Sequence, residues 1–200
     1  MPSQKKIKDI LALSGEVRGD VLKTDFKYVL EVHGRKEFDQ LNREIKKIQG
    51  NLIYHKISNI SWYPVGWKVI IMELGKELFD WKKKDFYELG RSASSNSFLT
   101  RTILRYFTSW EKIVQEVPKY WKKYWNTGTL EVHKKNLSEK YLVLRLKNFN
   151  IHSNLCFYLQ GHFKSFAELI LNKKVSIEES KCPYKQKNNK FHEFIIKWKQ

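Results

Sequence analysis

The chain has 200 residues, which is enough for one domain with a substantial core. Hydrophobic residues make up 42% and aromatic residues 14%, while 30% are charged, and this composition excludes a disordered or low-complexity chain. No apolar run approaches the roughly 20 residues that a membrane-spanning helix needs. The N-terminal residues also lack the apolar core and cleavage site of a secretory signal. We therefore expect a soluble cytoplasmic protein.

The formal net charge is +17 at pH 7. One interpretation is a surface that binds phosphates, because Lys and Arg displace counterions from nucleic acids or anionic membranes. The other is a lysine-rich surface with no such partner. Lysines are scattered along the chain, with short clusters in the stretches WKKKD, YWKKYW and KCPYKQKNNK. This scatter favours the second interpretation.

The first part of the chain has the apolar spacing of helices, with capping residues and glycines at their expected ends. The spacing predicts helices over residues 3–15, 19–34, 36–50, 65–79, 83–96 and 98–117. We expect the last of these helices to stop at Pro118, because proline lacks the backbone N–H that continues a helix.

The last part of the chain changes to the alternation of strands. Leu130 and Val132 alternate with polar neighbours, and Leu142, Leu144 and Leu146 do the same after a turn at residues 136–138, so the stretch YWNTGTLEVHKKNLSEKYLVLRLKNF is predicted to form a hairpin. A helix and a second hairpin follow. The fold class is therefore predicted as α+β, with an N-terminal helical layer packed on a C-terminal four-stranded antiparallel sheet (ββαββ). We expect a single domain over 1–200, mainly helical over 1–126, with the ββαββ part over 127–200.

Four potential metal ligands lie in this last part. Glu179 has the parity of the apolar residues in its strand, and His192 has the parity of the apolar residues in the last strand. Cys182 ends the strand of Glu179, and Cys156 lies in the first turn of the intervening helix. A metal ion would compensate these groups if they were buried together. Ordinary packing, with two small buried thiols and a Glu–His pair, explains the same pattern.

Several segments together resemble a known family: SWYPVGWKVIIMELGKELF, ELGRSASSN, PKYWKKYWNTGTLEV, YLVLRLKNF and IEESKC with FHEFIIKW. They look like the small-molecule-binding domains of the 4-vinyl-reductase family, and more closely like a related uncharacterised family of stand-alone proteins expanded in myxobacteria. The resemblance spans about residues 15–199. It implies the fold of the TRAPP-complex subunits, in which a helical layer packs on an antiparallel sheet.

The resemblance also implies a metal. Aromatic-sensing members of that superfamily hold zinc through a helix Cys, a Glu-x-x-Cys and a Cys on the last strand. The first three ligands fall on Cys156, Glu179 and Cys182, and His192 stands where the final Cys would be. Since His ligates zinc well, the resemblance implies a structural zinc site with four protein ligands.

By the same resemblance, the function is expected to be non-enzymatic binding or sensing of a hydrophobic small molecule or lipid, with an output protein as a possible partner. Large aromatic residues are candidates to line the pocket: Trp62, Trp67, Phe107, Trp110, Trp121, Tyr124 and Trp125. We also expect a homodimer, because the second helix carries more apolar residues than a peripheral helix needs: Val21, Leu22, Phe26, Val29 and Leu30.

Other functions have weaker support in the sequence. No zinc-deaminase, Walker, G-x-S-x-G or dinucleotide-binding motif is present, so we expect no enzyme and neither nicotinamide nor flavin. We also expect no haem, because a Tyr-x-Ser-x-Arg motif for its propionates is missing. The alternative function is nucleic-acid binding by the basic surface, with Trp and Tyr side chains as stacking platforms.

Overall fold

A computed structural model describes residues 2–97, 100, 110–186 and 188–199. Within these residues the elements are α1 (Gln4–Leu11), β1 (Glu16–Arg18), α2 (Gly19–Val32), α3 (Arg35–Ile48), β2 (Trp62–Pro64), α4 (Val65–Phe79), α5 (Lys83–Asn96), α6 (Trp110–Tyr124), β3 (Thr129–Asn136), β4 (Tyr141–Lys147), α7 (Asn154–Leu171), β5 (Val175–Lys181) and β6 (Phe191–Trp198). The predicted α+β class, with a mainly N-terminal helical layer and a C-terminal antiparallel sheet, is confirmed.

The four-stranded sheet has the order β3-β4-β6-β5, and every neighbouring pair is antiparallel. The last strand of the chain is therefore central, between β4 and β5. Alternate residues of β4 and β6 point into the core, as the alternation predicted: Leu142, Leu144, Leu146, Phe194, Ile196 and Trp198 are all buried. The opposite face is more polar, and there Arg145 of β4 forms an ion pair with Glu193 of β6.

Two features of the helical part differ from the sequence-based expectations. Pro118 lies inside α6 and does not end it. Val117, Trp121 and Tyr124 on the same helix are buried, so packing of this apolar face outweighs the one backbone hydrogen bond that Pro118 removes. The short strands β1 and β2 pair with each other. Three-residue strands were not predicted, because they are too short to show a period.

Most of the apolar residues of α2 pack inside the chain itself. Val21, Leu22, Phe26 and Val29 are buried in the core, whereas Leu30 is 39% exposed and Val32, the last residue of the helix, is 57% exposed. The apolar excess that suggested a homodimer is therefore explained by the core of one chain. Among the described helices, none is both long and apolar enough to span a membrane.

Helices α5 and α7 cross at very short range because each has a glycine at the crossing. A Cβ atom on Gly90 would lie 1.9 Å from the carbonyl oxygen of Tyr158, and one on Gly161 would lie 1.9 Å from the carbonyl oxygen of Tyr87. Only glycine lets two helix backbones approach this closely. The crossing fixes the position of α7 against the helical layer.

We predict that Gly90→Ala and Gly161→Ala each lower the free energy of unfolding by about 1–3 kcal/mol or more, because the added methyl group must push two backbones apart. Gly50→Ala is the matched control, since a Cβ atom there meets nothing within 4 Å. Urea denaturation followed by circular dichroism measures the change. Equal stability of all three variants would show that the crossing is wrong.

Candidate functional site

A cluster of hydroxyl groups is buried where α2, α5 and α6 meet. The Ser97 hydroxyl donates to Asp20 Oδ2 over 2.5 Å, and the Thr100 backbone N–H donates to Ser97 Oγ over 2.9 Å. Tyr124 Oη lies 3.1 Å from Ser97 Oγ, and both Tyr120 Oη and Tyr124 Oη lie 3.0 Å from Thr100 Oγ1. All five residues are buried. Burial raises the pKa values of both tyrosines above their ordinary value, so both phenols stay protonated.

His162 on α7 adjoins this cluster. Its Nδ1 lies 2.8 Å from Ser94 Oγ, and the same hydroxyl donates to the His162 carbonyl oxygen over 3.0 Å. Ser94 has one hydroxyl proton, so it donates to only one of these two His162 atoms at a time. The imidazole is nearly parallel to the rings of Tyr120 and Tyr158, with ring centres 6.3 Å and 6.0 Å away. Burial, and to a lesser extent the charge of Lys68, lowers the pKa of His162 to about 3, so the ring is neutral.

A fully buried ion pair lies on the other side of Tyr158. Lys68 Nζ on α4 is 2.6 Å from both carboxylate oxygens of Asp25 on α2, and neither side chain is exposed. The ammonium group also lies 3.7 Å from the centre of the Tyr158 ring, a cation–π contact. Burial raises the pKa of Asp25 to about 6, although Lys68 opposes this shift, and burial lowers the pKa of Lys68.

Two small cavities lie between these elements. The first, of ≈ 10 Å³, is called the polar cavity here because side chains with hydrogen-bonding groups border it, although much of its wall is apolar; it is lined by Asp20, Val21, Thr24, Ala93, Ser97, Tyr124, Trp125, Tyr158 and His162. The second, of ≈ 30 Å³, lies between α6, α7 and the sheet and is lined by apolar residues such as Leu130, Leu144 and Phe163. The first cavity has room for about one water molecule, and the second for very few.

The predicted pocket aromatics are only partly at these cavities. Tyr124 and Trp125 line the polar cavity, and Trp121 stacks on Trp125 at 5.6 Å. Two others line neither cavity: Trp62 lies under the Arg18 guanidinium and Trp67 packs on Tyr63. Phe107 and the side chain of Trp110 fall outside the described residues. None of the described predicted aromatics lines the apolar cavity.

The four predicted metal ligands come together at the other end of the sheet. One potential ligand atom of each of Cys156, Glu179, Cys182 and His192 lies within 4.8 Å of all the others. The two Sγ atoms are 3.3 Å apart, and His192 Nδ1 is 3.0 Å from Glu179 Oε1. His192 Nε2 lies 2.9 Å from the carbonyl oxygen of Phe149, which fixes the ring with Nδ1 toward the cluster.

A β-bulge makes this convergence possible. Glu179 and Cys182 are three residues apart, so in a regular strand they would point to opposite faces. The register between β5 and β6 shifts between Glu179 and Lys181, so Lys181 pairs with Glu193 and Cys182 turns back to the buried face. Cys182 is 1% exposed.

The charges of the cluster are balanced by its neighbours. Burial opposes ionisation of Glu179, but hydrogen bonds from His192 and Lys185 outweigh it, and the pKa of Glu179 is lowered. Burial, together with the charge of Glu179, raises the pKa of the Cys156 thiol. In the absence of a metal, Cys156 is therefore a neutral thiol.

The sequence pattern missed the interior polar residues. Lys68 is the clearest signal that was available, because it is a lone lysine inside the apolar stretch VGWKVIIM, where an unpaired charge would be very unfavourable. Its partner Asp25 and the hydroxyl cluster could not be paired with it from the sequence, because they come from other helices.

No family model matches the sequence. No curated protein matches it either.

Solved structures do match the fold. An H-NOX protein from S. oneidensis in the Fe(II)NO ligation state has a TM-score of 0.65 at 13% identity, with 92% of this chain and 99% of that chain covered. An oxygen-binding H-NOX domain related to soluble guanylate cyclases, in its oxygen complex, has a TM-score of 0.64 at 13% identity, with 92% and 95% covered. A structure described as modulating heme redox potential through porphyrin distortion has a TM-score of 0.66 at 12% identity, with 92% and 95% covered. The chain has the fold of H-NOX domains.

This finding corrects two expectations. The resemblance to the 4-vinyl-reductase family and the TRAPP subunits is wrong, because the matching solved structures are H-NOX domains. The expectation that haem is excluded is also wrong. It depended on a missing propionate motif, whereas solved structures with this fold are described with Fe(II), NO and heme. The same comparisons give no support to zinc.

The described residues, as they are arranged, do not fit a haem. Pockets for small organic ligands usually enclose about 300–1,000 Å³, whereas the two interior cavities measure ≈ 10 and ≈ 30 Å³. Tyr158, His162 and the Lys68–Asp25 pair fill the space between the helices. A macrocycle would have to displace these side chains.

We predict that the free energy of unfolding falls as the pH is lowered from about 6.5 toward about 3, with His162 contributing up to about 1.4 kcal/mol per pH unit. In the unfolded chain His162 takes up a proton near its ordinary pKa, whereas in the folded protein it stays neutral until about pH 3. Acid therefore favours unfolding.

Urea denaturation at a series of pH values measures this slope. His162→Phe keeps an aromatic ring in the stack and removes the titration, so its slope should be smaller than that of the unsubstituted protein. His55→Phe is the control, because His55 is exposed. Identical slopes for both variants would rule out His162 as the titrating group.

Proposed function

We propose that the chain is a non-enzymatic small-molecule sensor module that binds its ligand between the helical layer and α7. The match to H-NOX domains over 92% of this chain and 95–99% of those domains carries the proposal. The neighbours are described in complex with NO and with oxygen. A sensor needs an interior that changes when a ligand enters, and it passes that change to an output partner.

The polar cavity is the ligand site that the contacts support best. Asp20, Ser97, Tyr124 and His162 line it, and the Ser97 hydroxyl contacts both Asp20 and Tyr124. Buried polar groups of this kind fix the orientation of a small ligand in an otherwise apolar interior. A ligand larger than a water molecule has to separate α7 from α2 and α6, which gives the module a way to report occupancy.

The test is to identify a bound small molecule, and haem is included as a probe because of the H-NOX neighbours, although the described side chains as arranged leave no room for it. We predict that protein purified from cells supplied with a haem precursor carries one small molecule per chain, and that His162→Leu reduces its occupancy at least tenfold because His162 borders the cavity. Native mass spectrometry gives the bound mass, and a Soret band identifies haem.

His55→Leu, a substitution of an exposed histidine, is the control and should keep full occupancy. Protein that carries no small molecule, and whose melting temperature does not change when hemin is added, would contradict the proposed function.

A second proposal concerns Cys156, Glu179, Cys182 and His192. We propose that they bind a divalent transition-metal ion, because their ligand atoms lie within 4.8 Å of one another and Phe149 already holds the second nitrogen of His192. Two thiolates, an imidazole and a carboxylate make a closed tetrahedral set, so the ion would be structural. It would tie α7 to the β5–β6 hairpin.

We predict that Co²⁺ added to the protein gives the visible absorption of a tetrahedral site with thiolate ligands, at one ion per chain. Cys182→Ser should abolish the thiolate-to-cobalt band and remove the increase in melting temperature that the ion produces. Glu178→Gln is the control, because Glu178 pairs in register with Ile195 and lies outside the cluster. It should leave the absorption band and the increase in melting temperature unchanged. Unchanged absorption in Cys182→Ser would refute the site.

The finer sequence-based expectations stay predictions. A lipid or another hydrophobic ligand, a homodimer and an output protein partner are each compatible with a sensor module. Nucleic-acid binding is the alternative function, supported by the net charge of +17. Oligonucleotide binding that weakens steeply with salt, with no small molecule bound, would favour that alternative.

A further inference from the structure

A groove on the surface lies between the end of α4, the start of α5 and the start of α7. It has a volume of ≈ 420 Å³ and is lined by Lys76, Trp81, Lys82, Lys83, Lys84, Phe86 and Asn154. Its volume is in the range of small-ligand sites. It is separate from both interior cavities and from the four-residue cluster, with which it shares no residue.

The floor of the groove is apolar and rigid. Trp81 and Phe86 are 3% and 2% exposed, and their rings meet edge to face at 5.8 Å. Trp81 Nε1 donates to His33 Nε2 over 3.0 Å, so the polar end of this ring is already satisfied. Because both rings are almost fully buried, they offer a ligand only a small aromatic area, and the aliphatic stems of the surrounding lysines supply the rest of the apolar surface.

The rim of the groove is cationic and only partly neutralised. Lys82 pairs with the exposed Asp80, and Lys76 Nζ lies 3.9 Å from Glu73, a carboxylate already paired with Lys6. Among the described residues, Lys83 and Lys84 have no carboxylate within 4.0 Å of their ammonium groups.

The described groups next to Lys83 and Lys84 do not neutralise their charges. Lys83 instead faces the Phe157 ring at 5.6 Å. The nearest acid on α5, Asp85, is occupied in accepting the Lys82 backbone N–H over 2.7 Å. Lys83 and Lys84 are consecutive in the sequence and both line the groove, and two lysines without carboxylate partners among the described residues favour an anionic ligand.

Asn154 supplies a directional donor at the same place. Its side-chain amide nitrogen is buried and has no hydrogen-bond acceptor among the described residues. A buried donor without an acceptor is unfavourable by about 1–3 kcal/mol. An anionic oxygen bound between Asn154 and the lysines would satisfy it.

We propose that this groove binds a phosphomonoester with an apolar or aromatic body. The lysines recognise the dianion, Asn154 donates to one of its oxygens, and the body lies on Trp81 and Phe86. The site does not depend on the proposed sensor function, because no residue of the interior polar cluster takes part.

Calorimetric titration at physiological salt tests the proposal with phenyl phosphate, inorganic phosphate and phenol. Phenyl phosphate should bind at one site per chain and at least about tenfold tighter than either fragment. The double variant Lys83→Ala/Lys84→Ala should weaken it at least about tenfold. Lys122→Ala/Lys123→Ala is the matched control, because it removes an adjacent, exposed lysine pair from α6.

Asn154→Ala should weaken phenyl phosphate binding while inorganic phosphate stays weak. Melting temperatures of all variants verify that they fold. Equal weakening by the two double-lysine variants would show general charge attraction and would overturn the proposal. Absence of phenyl phosphate binding would also overturn it. Binding to vesicles of anionic phospholipid, without binding to the soluble phosphomonoester, would overturn it too and would identify this face as a membrane-binding surface.

Discussion

The close crossing of α5 and α7 is the constraint on which the rest of the structure depends. Gly90 and Gly161 let the two backbones meet where any Cβ atom would lie 1.9 Å from a carbonyl oxygen. The crossing holds Ser94 of α5 against His162 of α7 and so fixes the imidazole beside the hydroxyl cluster. Since interiors are close-packed, a shift of α7 cannot be absorbed locally and must move the groups it carries.

Helix α7 connects all the sites that we describe. Its first residue, Asn154, lines the surface groove, and Cys156 belongs to the cluster of potential metal ligands. Tyr158 and His162, one and two turns farther on, border the polar cavity. A ligand that moves α7 would therefore reach every site through one rigid element. This geometry suits a module whose output depends on whether its interior is occupied.

Buried polar and charged groups are unusual in a protein core, because their desolvation is unfavourable. A buried ion pair such as Lys68–Asp25 is rarely more favourable than an apolar replacement, because desolvation of both charges offsets their attraction. Here burial raises the pKa of Asp25 to about 6 even beside a lysine. The pair nevertheless holds α2 to α4 and places an ammonium group over Tyr158, beside the cavity. Its position next to the candidate ligand site is consistent with a functional role.

The sequence by itself determined most of the helices and the ββαββ order, and strand parity placed Glu179 and His192 on buried faces, because periodicity and parity are local properties of the chain. Only the tertiary structure decided how these elements meet. The bulge at Ser180 turns both Glu179 and Cys182 inward, and the packing of α6 carries the helix through Pro118. Lys68 pairs with Asp25 on another helix, and the likeness to the H-NOX fold appears only in the tertiary structure, at 12–15% sequence identity. The physical reason is that contacts between residues distant in sequence depend on the packing of whole elements, which a local pattern does not encode.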